Sequence, residues 1–482
     1  MISKQSKLPL LMIAAFWGSL LTYYAAPKVV DTFFPTIPAT QYDLERIQVQ
    51  AEQGKPLFNP TSESEHLLYG GVLSHESTET PGTIYAAITV QGKHVELSRK
   101  PLNLSLVVDV SGSMDGSKMD HAKAAARVLV NALNDHDRIS LVAYHHQAWV
   151  AVEADFATPQ HVVNMIAGIQ RLRANGGTNI SEGMETGLNE VLKEKRDSYT
   201  SRIVLISDGV ATDGIVDTNT LVRMASYYRE SHGVGLSTVG LGVDYNEHLM
   251  QPLAQAGTGN YYFVGNASEA AIHLRAELDA LQTSVASSAT VELNTPSHVR
   301  IKRVYGHELA GYSGQRAVID YGEISKGQNI DLLVELEVTH LEDGPKTDVL
   351  KVQLRHLSPS TLESHSASLM LNMAHSKART DAKVLTRVQQ VETALAVKEA
   401  MSLYERNRKN QAADLLEAQR ASNSEFLKRY SMKDKAFDRV DQELKDTAKK
   451  LRVVERHSYE GKFLLKEKFH HANGAVQNSV VF

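Results

Sequence analysis

The sequence predicts a multidomain α/β protein. A doubly wound, mostly parallel sheet is inserted in or followed by an antiparallel β-sandwich, a helical region comes last, and a transmembrane helix stands at the N-terminus. Three observations carry that reading. Between residues 101 and 284, short apolar runs alternate with stretches of helical period, which marks a parallel sheet covered on both faces. After Ser284 the helical period stops, and strand-like runs follow one another across glycine-containing turns. From Asp381 the composition shifts to Ala, Lys, Glu, Gln and Leu at helical spacing. A length of 482 residues with 42% hydrophobic content is ordinary for a globular chain of several domains.

The elements follow in order. Leu8–Ala26 carries no charge; as a helix it rises about 28 Å, close to the hydrocarbon thickness of a bilayer. Lys4 and Lys7 precede it, and Trp17, Tyr23 and Tyr24 occupy its distal half, so the basic flank is expected in the cytoplasm and everything after residue 27 outside it, in the periplasm or at the cell surface. The alternative is a cleaved signal segment and a secreted chain, although Tyr24 and Pro27 flank the cut after Ala26 poorly. Residues 27–80, with Pro35, Pro38, Pro56 and Pro60, read as a linker.

Residues 81–100 and 285–375 read as the two parts of the sandwich, with the α/β domain of residues 101–284 between them. Within that domain Leu102–Val108 is a buried strand and Met119–Leu133 a helix. Further strands are expected at Ile139–Tyr144, Trp149–Val152, Arg202–Ser207, Leu236–Gly240 and Tyr261–Val264, with Ala267–Thr283 as the closing helix. Residues 381–456 form the helical region, and residues 457–482, with His457, His470 and His471, a flexible tail.

Charge and cysteine usage narrow the function. The net charge of −5 gives no whole-chain reason to expect nucleic acid. Residues 377–482 hold 22 Lys and Arg against 15 Asp and Glu, so the end of the chain is basic, but the mixture of signs fits a solvated helical face. There is no cysteine, which excludes disulfides, thiolate metal sites and thiol catalysis.

The residues that carry chemistry cluster at the carboxyl edge of the α/β sheet, where ligands collect in such folds. Asp109-Val110-Ser111-Gly112-Ser113 follows the first buried strand and opens a helix. Gly176-Gly177-Thr178-Asn179 precedes another helix, and Ser207-Asp208-Gly209 ends the strand 203–206. Asp109, Ser111, Ser113, Thr178 and Asp208 thus bring two carboxylates and three hydroxyls to one edge, with no nitrogen or sulfur. That is a hard-oxygen set suited to Mg2+, Mn2+ or Ca2+.

In these residues the chain resembles von Willebrand factor A-type (VWA) domains with an intact metal-ion-dependent adhesion site. The lead-in Pro101-Leu102-Asn103-Leu104 before Val107-Val108-Asp109 is similar to bacterial membrane-anchored members. The resemblance implies that Ser111 and Ser113 bind the ion directly. Thr178 would bind it directly or through water, and Asp109 and Asp208 mostly through water or hydrogen bonds. An ion held by neutral hydroxyls keeps an open, electrophilic position that a partner's Asp or Glu can fill. The expected function is metal-dependent protein binding, for adhesion or complex assembly, on a membrane anchor; the alternative is a scaffold in which the metal mainly stabilises the fold. An ability of the closing helix to slide, which the family resemblance also suggests, would couple the site to the sandwich.

Catalysis is not expected, and neither a small-molecule substrate nor a nucleic acid is. Ser111 and Ser113 lack a nucleophile elbow, and Gly112–Lys118 misses the phosphate-loop spacing. Met114 stands where a calcium-loop glycine is required. His145-His146 reads as a surface hairpin tip, and Trp149, Tyr227 and Tyr228 as core or sheet packing.

Overall fold

A computed structural model describes residues 59–77, 80–95, 100–242, 245–264, 267–307, 309, 311–376, 379–430 and 435–477. The expected membrane segment at residues 8–26 and most of the linker lie outside the described residues. Among the described residues, no helix is long and apolar enough to cross a membrane.

The α/β domain is built on a six-stranded sheet. Its elements in chain order are β1 (Leu102–Asp109), α1 (Ser117–Asn131), β2 (Arg138–Tyr144), β3 (Ala148–Phe156), α2 (Pro159–Arg171), α3 (Ile180–Leu192), β4 (Thr200–Ser207), α4 (Thr218–His232), β5 (Gly235–Leu241), α5 (Glu247–Ala256), β6 (Thr258–Val264) and α6 (Ala267–Gln282). The strand order is β6-β5-β4-β1-β2-β3, with every pair parallel except β2–β3. All residues of β1, β2, β4 and β5 are buried, as strands covered on both faces must be.

Alternation along β1 divides the core in two: Leu102, Leu104, Leu106 and Val108 pack with residues of α1, α2 and α6, and Val107 with residues of α3, α4 and α5. The polar residues interleaved in β1 are satisfied, since Asn103 donates to the Val191 carbonyl at 2.8 Å and Ser105 accepts from Ser140 at 3.0 Å. Helix α3 lies close to the sheet because a Cβ at Gly187 would stand 2.5 Å from Val107 Cγ2. The chain runs from β1 to β2 on one side and later to β4 on the other, so the strand order reverses at the carboxyl end of β1, where a crevice opens.

The sandwich has a five-stranded sheet in the order 62–63, 67–73, 82–92, 329–338, 299–304. Its seven-stranded sheet runs 311–312, 316–325, 284–294, 346–357, 364–374, 75–77, 379–380. Strand 82–92 pairs antiparallel with 329–338 from Gly82↔Val338 to Gln91↔Asn329. The chain leaves the five-stranded sheet after Gly92 and re-enters the sandwich in the seven-stranded sheet at Ser284, so the α/β domain is inserted between a strand of one sheet and a strand of the other.

Residues 62–77 correct the linker assignment of 27–80, because they form three strands of the sandwich. Their strand signal is weakened by Gly70 and Gly71, and Gly71 is needed for packing: a Cβ there would meet both Leu371 methyls at 3.0 Å.

The C-terminal region comprises α7 (Ala382–Glu405), α8 (Lys409–Arg429), α9 (Lys435–Val453) and α10 (Tyr459–Gln477). Val391, Ala394 and Met401 of α7 share a core with Ala87 and Leu333, on the face of the five-stranded sheet opposite the sandwich interior. Many of the basic residues here are paired between helices, with Arg420 on Asp441 at 2.7 and 2.9 Å and Arg452 on Asp414 and Glu417. Helix α10 corrects the expectation of a flexible tail over 457–482. It buries Leu464, Ala472, Ala475 and Val476, while its charged and histidine-rich sequence obscures the period. It also reaches the α/β domain: Lys466 pairs with the buried Glu247 of α5 and lies over the Tyr245 ring, and Phe463 approaches Phe263.

Candidate metal site

The five oxygen-bearing residues named from the sequence lie on three loops at the carboxyl edge of the sheet, and the loops are hydrogen-bonded to one another. Gly112 N–H donates to the Gly176 carbonyl at 2.9 Å, and Asn175 N–H to the Val110 carbonyl at 2.7 Å. The Thr178 carbonyl accepts from Thr212 and Asp213 N–H at 3.0 and 3.1 Å, and Thr178 N–H donates to Thr212 Oγ1 at 2.8 Å. The loop after Thr178 starts α3 through Asn179, whose side chain accepts from Glu182 N–H. The Asp208 carbonyl accepts from Asn246 N–H at 2.9 Å, which joins the start of α5 to the same edge.

Asp109 is wholly buried. Its Oδ1 accepts from Ser111 N–H at 2.8 Å and its Oδ2 from the Ser207 hydroxyl at 2.6 Å. Burial pushes its carboxyl up to about 6; the bonds from Ser207 and Ser111 pull it down, and the charge of Asp208 adds to the upward push. Ser111 Oγ and Ser113 Oγ stand 3.0 Å apart, with Ser111 buried and Ser113 exposed to solvent. Asp208 is buried, its Oδ2 accepts from Lys118 Nζ at 3.0 Å, and its Oδ1 has no hydrogen-bond partner. A buried carboxylate oxygen without a partner is costly. This orphaned oxygen, a second buried carboxylate and paired hydroxyls are a donor set that fits a divalent cation.

Other residues at this edge have a part in the site that the sequence does not assign them. Ser207 bridges Asp109 and Gly209 N–H, and Lys118 balances part of the charge of Asp208. His146 belongs to the rim: its Nδ1 is 2.7 Å from Asp213 Oδ2, and Gly177 N–H points at its ring. No local motif announces these partners, which arrive from separate loops. Tyr227, on helix α4 and 55% exposed, corrects the expectation of core or sheet packing, whereas Tyr228 is buried and Trp149, 41% exposed, stands on strand β3 of the sheet. Trp149 lies against His145, and Val210, Ile215 and Val216 are exposed on the loop that follows Asp208.

Comparison with known proteins matches residues 103–276 to the model of the von Willebrand factor type A domain family. Those residues form a VWA domain. VWA domains often bind a divalent metal at this edge, and they typically mediate protein–protein interaction or adhesion. The chain is 29% identical to the uncharacterized protein sll0103 of Synechocystis over 283 residues, which are 56% of this chain and 65% of that one. It is 32% identical to the uncharacterized protein YfbK of Escherichia coli over 52% of this chain and 44% of YfbK. Inter-alpha-trypsin inhibitor heavy chain H2 of pig is 24% identical over 56% of this chain and 30% of its own length. The chain therefore spans less than two-thirds of each of these relatives.

Among solved structures, a von Willebrand factor type A protein from Catenulispora acidiphila superposes with a TM-score of 0.65 at 17% identity, over 87% of this chain and 99% of that one. The ArnB paralog VWA2 from Sulfolobus acidocaldarius gives 0.53 at 16%, over 86% and 100%. The VWA fold and much of its surroundings are therefore shared at identities that speak to the fold alone.

Proposed function

We propose that this chain is a metal-dependent protein-binding module. Its VWA domain holds Mg2+, Mn2+ or Ca2+ through Ser111, Ser113 and Thr178, supported by Asp109 and Asp208, and captures an Asp or Glu side chain of a partner protein. The observation that carries the reading is Asp208 Oδ1, a buried carboxylate oxygen left without a partner beside a second buried carboxylate. A bound ion would supply an open coordination position for an external carboxylate. The chain's own residues fix the hydroxyls: Asp109 holds the Ser111 backbone, and the Gly112–Gly176 bond ties the serine turn to the Thr178 loop.

Binding is favoured over a scaffold role because direct hydrogen bonds already join the three loops to one another. Exposed Val210, Ile215 and Val216 beside the loops give a partner an apolar contact next to the charged one. The uncharged segment 8–26 would anchor the module in a membrane with the VWA domain outside the cytoplasm.

The test is capture from solubilised membranes in Mg2+ and in chelator, with wild type and Asp208→Ala. The expected result is a protein retained by wild type in Mg2+ and released by chelator or by an acidic peptide. It should also be missing with Asp208→Ala, while chelator lowers the melting temperature of wild type only by the small amount that loss of one bound ligand entails. Equal retention by both proteins in both buffers overturns the proposal, and a large fall in melting temperature on chelation favours the scaffold.

A further inference from the structure

We infer a second metal site, unlike the first in chemistry and position, formed in the sandwich by Glu65, His66, His356 and His365. His66 stands at the start of strand 67–73 of the five-stranded sheet, and His356 and His365 are register partners on neighbouring strands of the seven-stranded sheet. The three imidazoles touch one another, with ring centroids 5.1, 5.2 and 5.6 Å apart. His66 and His356 are both 3% exposed. His356 Nε2 lies 3.4 Å from His66 Nδ1, and His365 Nδ1 lies 3.4 Å from Glu65 Oε2. One donor atom each from Glu65, His66 and His365 falls within a 4.8 Å group. Two nitrogens bound to one tetrahedral zinc ion stand roughly 3.3 to 3.4 Å apart, the spacing of the His66–His356 pair.

As hydrogen bonds these contacts are poor, since 3.4 Å lies beyond the usual range. The other ring nitrogens, His356 Nδ1 and His365 Nε2, are buried with no hydrogen-bond partner. Structural histidines elsewhere in the chain differ: His161 Nε2 is 2.8 Å from the Ile139 carbonyl and His298 Nε2 is 3.0 Å from that of Asp348.

Three imidazoles and a carboxylate are a borderline-soft set that selects zinc and its tetrahedral analogues over magnesium. The site lies at the end of the sandwich from which the chain crosses into the VWA domain: Lys93 N–H donates to the His66 carbonyl at 2.8 Å, and Leu357 pairs with Ser287. An ion there would tie residues 65–66 to residues 356–365, closing a loop that contains the entire VWA domain and clasping the two sheets together.

The experiment titrates the metal-free, tag-free full chain with Co2+ and follows visible absorption. Tetrahedral cobalt absorbs strongly, whereas cobalt on an oxygen-only site absorbs weakly, so the two sites separate in one spectrum. One equivalent of strong absorption is expected in wild type and in Asp208→Ala, displaced by an equivalent of Zn2+. It should be lost in His356→Ala and in His365→Ala, the latter chosen because His365 is the more exposed histidine and its replacement leaves the core intact. Zn2+ should raise the melting temperature of Asp208→Ala and leave that of the double variant Asp208→Ala with His365→Ala unmoved. Absence of strong absorption in wild type, or its persistence in His365→Ala, overturns the inference whatever the fate of the VWA site.

Discussion

Asp109→Asn is expected to weaken Mg2+ binding about 10- to 100-fold, the usual cost of altering a group that orients a metal's direct ligands, while leaving the metal-free protein at least as stable as wild type. The two effects have opposite origins. In the absence of an ion, Asp109 is a buried carboxyl pushed up to about 6 by desolvation and by Asp208, so its charge opposes folding. Asparagine removes that charge but keeps the shape. Its oxygen can still accept from Ser111 N–H, and its amide can donate to Ser207 Oγ, which turns from donor to acceptor. With Mg2+ present, wild type recovers the cost by attraction to the ion and the variant cannot. Melting curves in chelator and in saturating Mg2+ check this: the order of the two proteins should reverse between buffers. A variant less stable in both buffers contradicts it.

Much of this was legible in the sequence because it depends on local order. β1, β4 and β5 are largely apolar buried strands; Asp109, Ser111 and Ser113 lie at and after the end of β1, Asp208 follows β4 and Thr178 precedes α3, so position along the chain placed them on one edge. What the sequence hid depends on partners distant in the chain. Strand 67–73 owes its place to pairing with 82–92 and to Leu371 packing over Gly71. Helix α10 packs on α7 and pairs with Glu247, more than 200 positions away, partners that its own sequence does not announce. His66, His356 and His365 carry no motif spacing at all; only the antiparallel pairing of His356 with His365 and the closure of the sandwich bring them together.

Glu247→Ala is expected to destabilise the protein by about 3 to 5 kcal/mol, because it leaves the Lys466 ammonium buried without its counter-charge. The double replacement Glu247→Leu with Lys466→Met should recover most of that loss, since two apolar groups of similar volume remove both charges together. Urea unfolding followed by far-UV circular dichroism measures both. The pair also connects α10 to the metal edge, because Asn246, the residue before Glu247, donates its N–H to the Asp208 carbonyl. Glu247→Ala should therefore lower Mg2+ affinity as well as stability, and the double variant should restore it. If stability falls but the double variant does not recover it, the buried pair is not the cause.

The central claim is that Ser111, Ser113 and Thr178 deliver their hydroxyls to one divalent ion backed by Asp109 and Asp208. A crystal grown in Mn2+ and measured for anomalous scattering addresses it directly. The account predicts one strong peak at bonding distance from Ser111 Oγ and Ser113 Oγ, on the side reached by Thr178, with Asp208 Oδ1 turned towards it through water. No manganese at that edge, with Lys118 as the only cation beside Asp208, would contradict it.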